Sequence, residues 1–129
     1  MGHPNEQLVR RGYDAFSRGD MQTLRDLFHP DIVWHAPGRN QLSGDHRGVD
    51  AVLGYFGRSM ELTGGSFSVE VHDVVANDQH AVGLNSVHAE RAGKTLDDQN
   101  TLVFHVVDGK VTEVWQFAAD QYALDDLFG

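Results

Sequence analysis

Two histidines and one asparagine carry most of the chemistry that this sequence offers. His35 ends the short run Asp31-Ile32-Val33-Trp34-His35, which Pro37-Gly38 closes, and His88 lies in a run from His80 to about Glu90. An imidazole has an ordinary pKa near 6.5, so near neutral pH it can take or give a proton without much tuning. A positioned general acid or base contributes roughly 10²–10⁴ in rate. Strand alternation sets His88 on one face with Leu84 and Ser86, and Glu90 reaches that face near its rim, where it would orient the ring. The competing reading of each histidine is structural, holding a backbone carbonyl or lying on the outer face of a sheet. Asn100 offers an amide donor for a developing oxyanion, and fits equally a strand-end residue capping the turn after Leu96. A ligand would rest against apolar and aromatic walls, for which the candidates are Tyr13, Trp34, Phe56, Leu102, Phe104, Trp115 and Phe117.

Other chemistries find little support. The eight histidines include no His-x-x-x-His helix pair and no tight cluster with carboxylates, so no metal site is expected. The absence of cysteine excludes disulfides and thiolate ligands. Gly64-Gly65 reads as a junction between elements, and no serine sits in a nucleophile-elbow context. Asp97-Asp98, Asp125-Asp126 and the tail from Asp120 through Tyr122 read as solvated surface.

The elements that must position these groups fall into two halves. Leu8, Val9, Tyr13 and Phe16 recur at helix spacing after Pro4, and Gly19 stops that helix. Asp20 caps a second, short helix that turns Leu24, Leu27 and Phe28 inward and ends before Pro30. The strand 31–35 and a polar loop over 39–48 follow, then a third helix marked by Val49, Val52, Leu53, Phe56 and Met60. Beyond Gly65 the pattern changes to period two, with Phe67, Val69 and Val71 alternating against Ser68, Glu70 and His72. Asn77-Asp78, Ala92-Gly93-Lys94 and Asp108-Gly109 mark the turns of a four-stranded antiparallel meander. Its third strand, Thr101 to Val107, is nearly continuous in apolar character, as for a strand covered on both faces. Its fourth runs from Val111 to Phe117, and the tail to Phe128 adds a last helical turn or two. The class is α+β, with three helices gathered on one face of a curved, mostly antiparallel sheet.

The 129 residues form one domain without repeats or linkers, at 40% apolar and 22% charged. Ten basic residues against nineteen acidic ones give a net charge of −9, which repels phosphate backbones and anionic membranes and argues against nucleic acid as a partner. No apolar run approaches the roughly 20 residues that span a bilayer, and the polar N-terminus does not read as a signal peptide. With no cysteine, a cytoplasmic protein is expected. If Leu102, Phe104 and Val106 face a pocket, Val103, His105 and Val107 face outward; a homodimer through that outer sheet face is expected to cover them.

Three segments in order, Tyr13-Asp14-Ala15-Phe16-Ser17-Arg18-Gly19-Asp20, Trp34-His35-Ala36-Pro37-Gly38 and Asp108-Gly109-Lys110-Val111 through Trp115, together resemble the nuclear transport factor 2-like superfamily. The branch resembled is that of the SnoaL-like polyketide cyclases, beside ketosteroid isomerases and limonene epoxide hydrolases, and the resemblance covers nearly the whole chain. It implies a cone in which helices close one side of a bent sheet around a deep apolar pocket. Carried over by position, the isomerases' tyrosine donor falls on Gly12, their aspartate base on Ala36, and their second acidic donor on Asn100 or Thr101. Of the hydrolases' charged set, one aspartate falls on Phe117, and the arginine and second aspartate fall near Ser86 and His88; their water-binding asparagine falls on His35. Neither familiar set is present, and the resemblance leaves a pocket lined with imidazole and amide groups.

Two functions stay open on these grounds. The first is a cofactor-independent enzyme doing acid/base chemistry on a small apolar molecule: a cyclase, isomerase, dehydratase or epoxide-hydrolase-like activity. His35 would be its base or water-binder, His88 the partner and Asn100 the oxyanion donor. The second is a non-catalytic protein that binds a hydrophobic metabolite in the same pocket.

Overall fold

The computed structural model of the chain describes residues 3–129. Pro4 occupies the first turn of α1 (Pro4–Arg18), where a missing N–H costs nothing, and His3 Nδ1 accepts from the Asn5 N–H at 3.0 Å. Gly19 ends the helix in the left-handed conformation (φ 68°), returning its N–H to the carbonyl of Phe16. Asp20 then caps α2 (Met21–Leu27), accepting from the Thr23 N–H at 3.1 Å and from the Thr23 hydroxyl at 2.7 Å. Phe28 is already extended, so β1 (Phe28–Ala36) starts three residues earlier than its apolar run suggests.

The polar segment read as a loop contains a short strand, β2 (Gly44–Arg47), paired with residues 33–36 of β1. Its residues Gly-Asp-His-Arg show no alternation because it is an edge strand, held by backbone pairing more than by side-chain burial. Helix α3 (Val49–Leu62) follows with Val52, Phe56 and Ser59 buried. The meander then runs β3 (Ser68–Ala76), β4 (His80–Arg91), β5 (Lys94–Val107) and β6 (Lys110–Ala118). Ala92-Gly93 and Asp108-Gly109 both carry positive φ at the two central positions, the geometry that matches a hairpin turn to the twist of its strands.

The strand order is β2-β1-β6-β5-β4-β3. The expected antiparallel meander is present, and β1 joins its far edge by pairing parallel with β6. Strand β5 begins seven residues before Thr101, because the tight turn at Ala92-Gly93 carries the pairing with β4 straight through Asp97, Asp98 and Gln99. Asn100 is thus mid-strand, opposite Asn85, and caps no turn.

Helices α1, α2 and α3 cover the concave face, where Ile32, Trp34, Leu102, Phe104, Val106 and Val114 are buried with Leu8, Val9 and Val52. Among the described residues the convex face has no such cover: Val103 and His105 are half-buried and Val107 is exposed, so the apolar run of β5 is covered on one face only. The tail is not a solvated extension. It forms α4 (Gln121–Phe128), whose Leu124, Leu127 and Phe128 join Leu42, Val87, Ala89 and Leu96 in a second apolar cluster, although Tyr122 stays 90% exposed. No helix among the described residues is long and apolar enough to cross a membrane.

Candidate ligand cavity

The helices stand off the concave face far enough to leave a cavity of about 90 Å³. Its walls are chiefly Leu8, Phe16, Leu27, Phe56, Leu102 and Phe104. Five of the seven expected wall residues line it: Tyr13, Trp34, Phe56, Leu102 and Phe104. The other two, Trp115 and Phe117, are corrections. They are in phase with Glu113 on the convex side of β6, Trp115 stacked on the His35 ring (centroids 5.6 Å apart) and Phe117 54% exposed. The inward residues of that strand are Val111, Val114 and Gln116.

A row of neutral polar groups crosses the apolar surface. Asn85 on β4 and Asn100 on β5 face each other across the pairing, and Gln116 on β6 and Trp34 on β1 continue the row. Two tyrosines descend onto it from the helices. The Tyr13 hydroxyl donates to Asn85 Oδ1 at 3.0 Å, and the Tyr55 hydroxyl donates to Gln116 Oε1 at 2.8 Å. Gln116 Oε1 also accepts from the Trp34 indole N–H at 2.9 Å. Indole N–H can only donate, so this contact fixes which end of the Gln116 amide is oxygen and turns the NH₂ away from Trp34. Burial pushes both tyrosines above their ordinary range, so each stays a neutral phenol at any physiological pH. The Asn100 side chain is 7% exposed yet hydrogen-bonds to no described residue. Its amide faces the cavity with its donors and acceptor free.

Both candidate histidines point away from this cavity. Trp34 and Ala36 are the inward residues of β1, so period two sends His35 to the convex face. There its Nδ1 lies 2.6 Å from Asp45 on β2 and its Nε2 2.5 Å from Glu113 on β6. Ionised carboxylates can only accept, so this arrangement favours a ring protonated on both nitrogens. Burial pulls its pKa down, but the bonds to Glu113 and Asp45 outweigh that and hold it above the ordinary value. His88 lies three strands away and six residues further along its strand, about 14 Å across and about 20 Å along at ordinary strand spacing, and pairs with Asp97 at 2.6 Å. That bond raises its pKa. Glu90, the expected orienting residue, is at 3.7 Å. The two rings therefore do not form a pair, and each serves as an ionic tie between neighbouring strands.

Asn100 alone of the three expected chemical groups lines the cavity. Asn85, Gln116, Tyr55 and Ser59 were not singled out by residue type. The signal that marks them is phase: Asn85 falls in register with buried Ala81, Val87 and Ala89, and Gln116 with buried Val114. No histidine, carboxylate, lysine or arginine lines the cavity, and no cluster of three or more metal-ligating side chains exists among the described residues. Asp97, Asp98 and Asp125, read as solvated surface, bind His88, the Asp120 N–H and the Arg39 N–H respectively.

A family model for the SnoaL-like domain matches residues 9–114. The uncharacterized protein Rv0034 of Mycobacterium tuberculosis is 35% identical over 122 residues, which is 94% of this chain and 93% of that protein. Among solved structures, Bal32a from a soil-derived mobile gene cassette is 39% identical and superposes with a TM-score of 0.95 over 98% of this chain and 97% of its own. A Jannaschia sp. CCS1 protein assigned by name to the SnoaL-like polyketide cyclases shares the fold, with a TM-score of 0.80 at 18% identity over 97% of this chain and 91% of its own. The family model spans most of the chain and the Bal32a structure shares its fold: the chain belongs to the SnoaL-like domain family.

Proposed function

We propose that the cavity binds a small, largely apolar molecule that carries a hydrogen-bonding oxygen, such as a ketone, enone or phenol. The observation that carries this reading is Asn100, whose amide makes no hydrogen bond to a described residue and opens onto an otherwise apolar cavity. Its polar atoms stay accessible from the cavity, so a bound oxygen can reach them. Apolar walls with a few fixed polar groups are the usual make-up of small-molecule sites.

The same donors support a second reading, turnover by electrostatic stabilisation. Asn100, with the neutral Tyr13 phenol nearby in the row, would steady an enolate oxygen as it forms, in keeping with a family that includes polyketide cyclases. The proton would then move to water or to the substrate itself, since the wall carries no side chain that ionises near neutral pH.

Calorimetric titration with cyclohexenone, acetophenone and phenol tests the binding reading. Saturable heat should appear in the wild type and weaken about 3–10-fold in Asn100→Leu, the worth of one neutral hydrogen bond. Equal affinity in both proteins would contradict the role of Asn100. Incubating the same ketones in deuterated water separates the two readings: protein-dependent deuterium uptake lost in Asn100→Leu supports turnover, and binding without uptake supports a carrier or sensor.

A further inference from the structure

A second, smaller cavity of about 20 Å³ lies beyond the polar row, between the loop after β1 and helix α4. Asn100, Gln116, Tyr55, Ser59 and Phe67 line both cavities. The far walls of the smaller one belong to Ala36, Pro37 and Leu42 on one side and to Leu124 and Phe128 of α4 on the other. Helix α4 is fixed in this place by polar ties: Asp125 Oδ1 accepts from the Asn40 amide at 2.8 Å and from the Arg39 N–H at 3.0 Å, and Gln41 Nε2 donates to the Phe128 carbonyl at 2.9 Å.

The shared wall has a defined polarity. Trp34 and Tyr55 fix the Gln116 oxygen, so its NH₂ is the end left over, and that NH₂ bonds to no other described residue. Asn100, whose side chain bonds to no described residue, lies diagonally across the β5–β6 pairing from it, opposite Ala118. A ligand at this wall therefore meets the Gln116 NH₂ as a fixed donor and the Asn100 amide, whose NH₂ can turn to the same acceptor, so an acceptor oxygen satisfies both. Apolar space on both sides of the donors requires apolar substituents on both sides of that oxygen.

We infer that the two cavities are subsites of one elongated site, which takes a ketone-like molecule with a bulky aromatic or alicyclic part in the large cavity, its carbonyl at Gln116 and Asn100, and a short alkyl arm under α4. This deepens the proposed function and rests on it. It makes α4 and the loop from Pro37 to Ser43 the part of the fold that reads ligand length.

The test is a homologous series of phenyl alkyl ketones, acetophenone to octanophenone, titrated calorimetrically into wild type and into Ala36→Leu. Ala36 lines the small cavity and not the large one. In the wild type, affinity should tighten about fourfold per methylene over the first few carbons of the arm, the worth of a buried methylene, and then level off. Ala36→Leu should bind acetophenone normally and lose the gain with arm length. A wild-type series that stays flat, or a gain that survives Ala36→Leu, overturns the two-subsite site while leaving the binding reading intact. If no member binds at all, the binding reading falls and this one falls with it. Should Ala36→Leu fail to fold, nuclear Overhauser contacts between the butyrophenone arm and the Leu124 methyls of the wild type decide the question: their presence supports the arm under α4, and contacts only to residues of the large cavity refute it.

Discussion

Replacing Gly83 by alanine isolates the energetics of the polar row. Gly83 is on β4, directly beneath the phenol of Tyr13; a Cβ there would lie 2.2 Å from the Tyr13 oxygen and 2.9 Å from two of its ring carbons. The backbone at Gly83 is not in a left-handed conformation, so alanine strains nothing but this contact. Tyr13 is buried on α1, packs edge-on to Phe104 at 6.3 Å, and would have to turn its phenol off Asn85 to make room. Overpacking of this kind costs about 1–3 kcal/mol, and displacement of the phenol strips Asn85 Oδ1 of its donor at about 1–3 kcal/mol more. The sum is about 2–6 kcal/mol. An unfolding entropy near 2.1 cal/mol/K per residue converts that to a drop in Tm of about 8–20 °C for this chain. Differential scanning calorimetry of Gly83→Ala reads it directly. Tyr13→Phe alone should cost about 1–3 kcal/mol. In the double variant the shortest clash and the bond are both already absent, so it should be more stable than additivity predicts by about 1–3 kcal/mol. A Gly83→Ala protein melting within 3 °C of wild type, or an additive cycle, would refute the argument that Gly83 exists to seat Tyr13.

Further outcomes follow from other contacts. His35 has a folded pKa above its unfolded value of about 6.5, so its contribution is full below that pH and fades as pH rises through the folded pKa. The stability difference between wild type and His35→Gln in urea should therefore be larger at pH 6 than at pH 9, and a difference that is flat or grows with pH would show that the ring is not held as an imidazolium. Asp125 behaves oppositely: burial raises its pKa, but bonds from Asn40, Gln121 and the Arg39 N–H together hold it below the ordinary value, so its contribution is lost only as pH falls through that lowered pKa. Asp125→Ala should cost about 1–3 kcal/mol at pH 7, and chemical denaturation giving less than 0.5 would mean that α4 is held by its apolar side chains alone. Phe117 and Trp115 sit on the uncovered convex face, where a second copy is expected; sedimentation equilibrium at about 10 µM should give a dimer for wild type and a monomer for Phe117→Asp, and a wild-type monomer would remove that expectation.

Most of the fold was legible because period and turn chemistry agree along the chain. Asp20, Gly19, Ala92-Gly93 and Asp108-Gly109 announce element ends that the structure places where expected. The site was legible only in part, and the reason is visible in β1. Trp34 and His35 are neighbours on one strand, so they cannot both face one cavity; the apolar run that named Trp34 as a wall already sent His35 outward. In β6, Trp115 and Phe117 attracted notice as aromatics, whereas the inward residue between them is the glutamine. Strand β5 looked shorter than it is because Asp97, Asp98 and Gln99 hide an extended backbone under polar side chains. Strand β2 and the docking of α4 depend on partners distant in sequence, which local periodicity does not encode. A bulge between Val71 and Asp73 shifts the phase of β3 and brings Val74 to 2% exposure, a change no alternation rule foresees.

The parallel pairing of β1 with β6 fixes when a ligand site can come into being. Trp34 and Gln116 are 82 residues apart in sequence, and closing a loop of that length costs about 4 kcal/mol of chain entropy before the contacts on either side reward it. The cavity wall draws on α1, α2, β1, α3, β3, β4, β5 and β6, so no fragment that lacks β6 contains it whole. A chain released from the ribosome only as far as Val107 holds β1 without its parallel neighbour, and the polar row lacks Gln116. Any unfolding that frees β6 therefore takes the cavity wall apart with it. Ligand at a hundred times its Kd would raise the stability of the whole domain by about 2.7 kcal/mol, and would slow hydrogen exchange most at those core amides that exchange only when every strand has come apart.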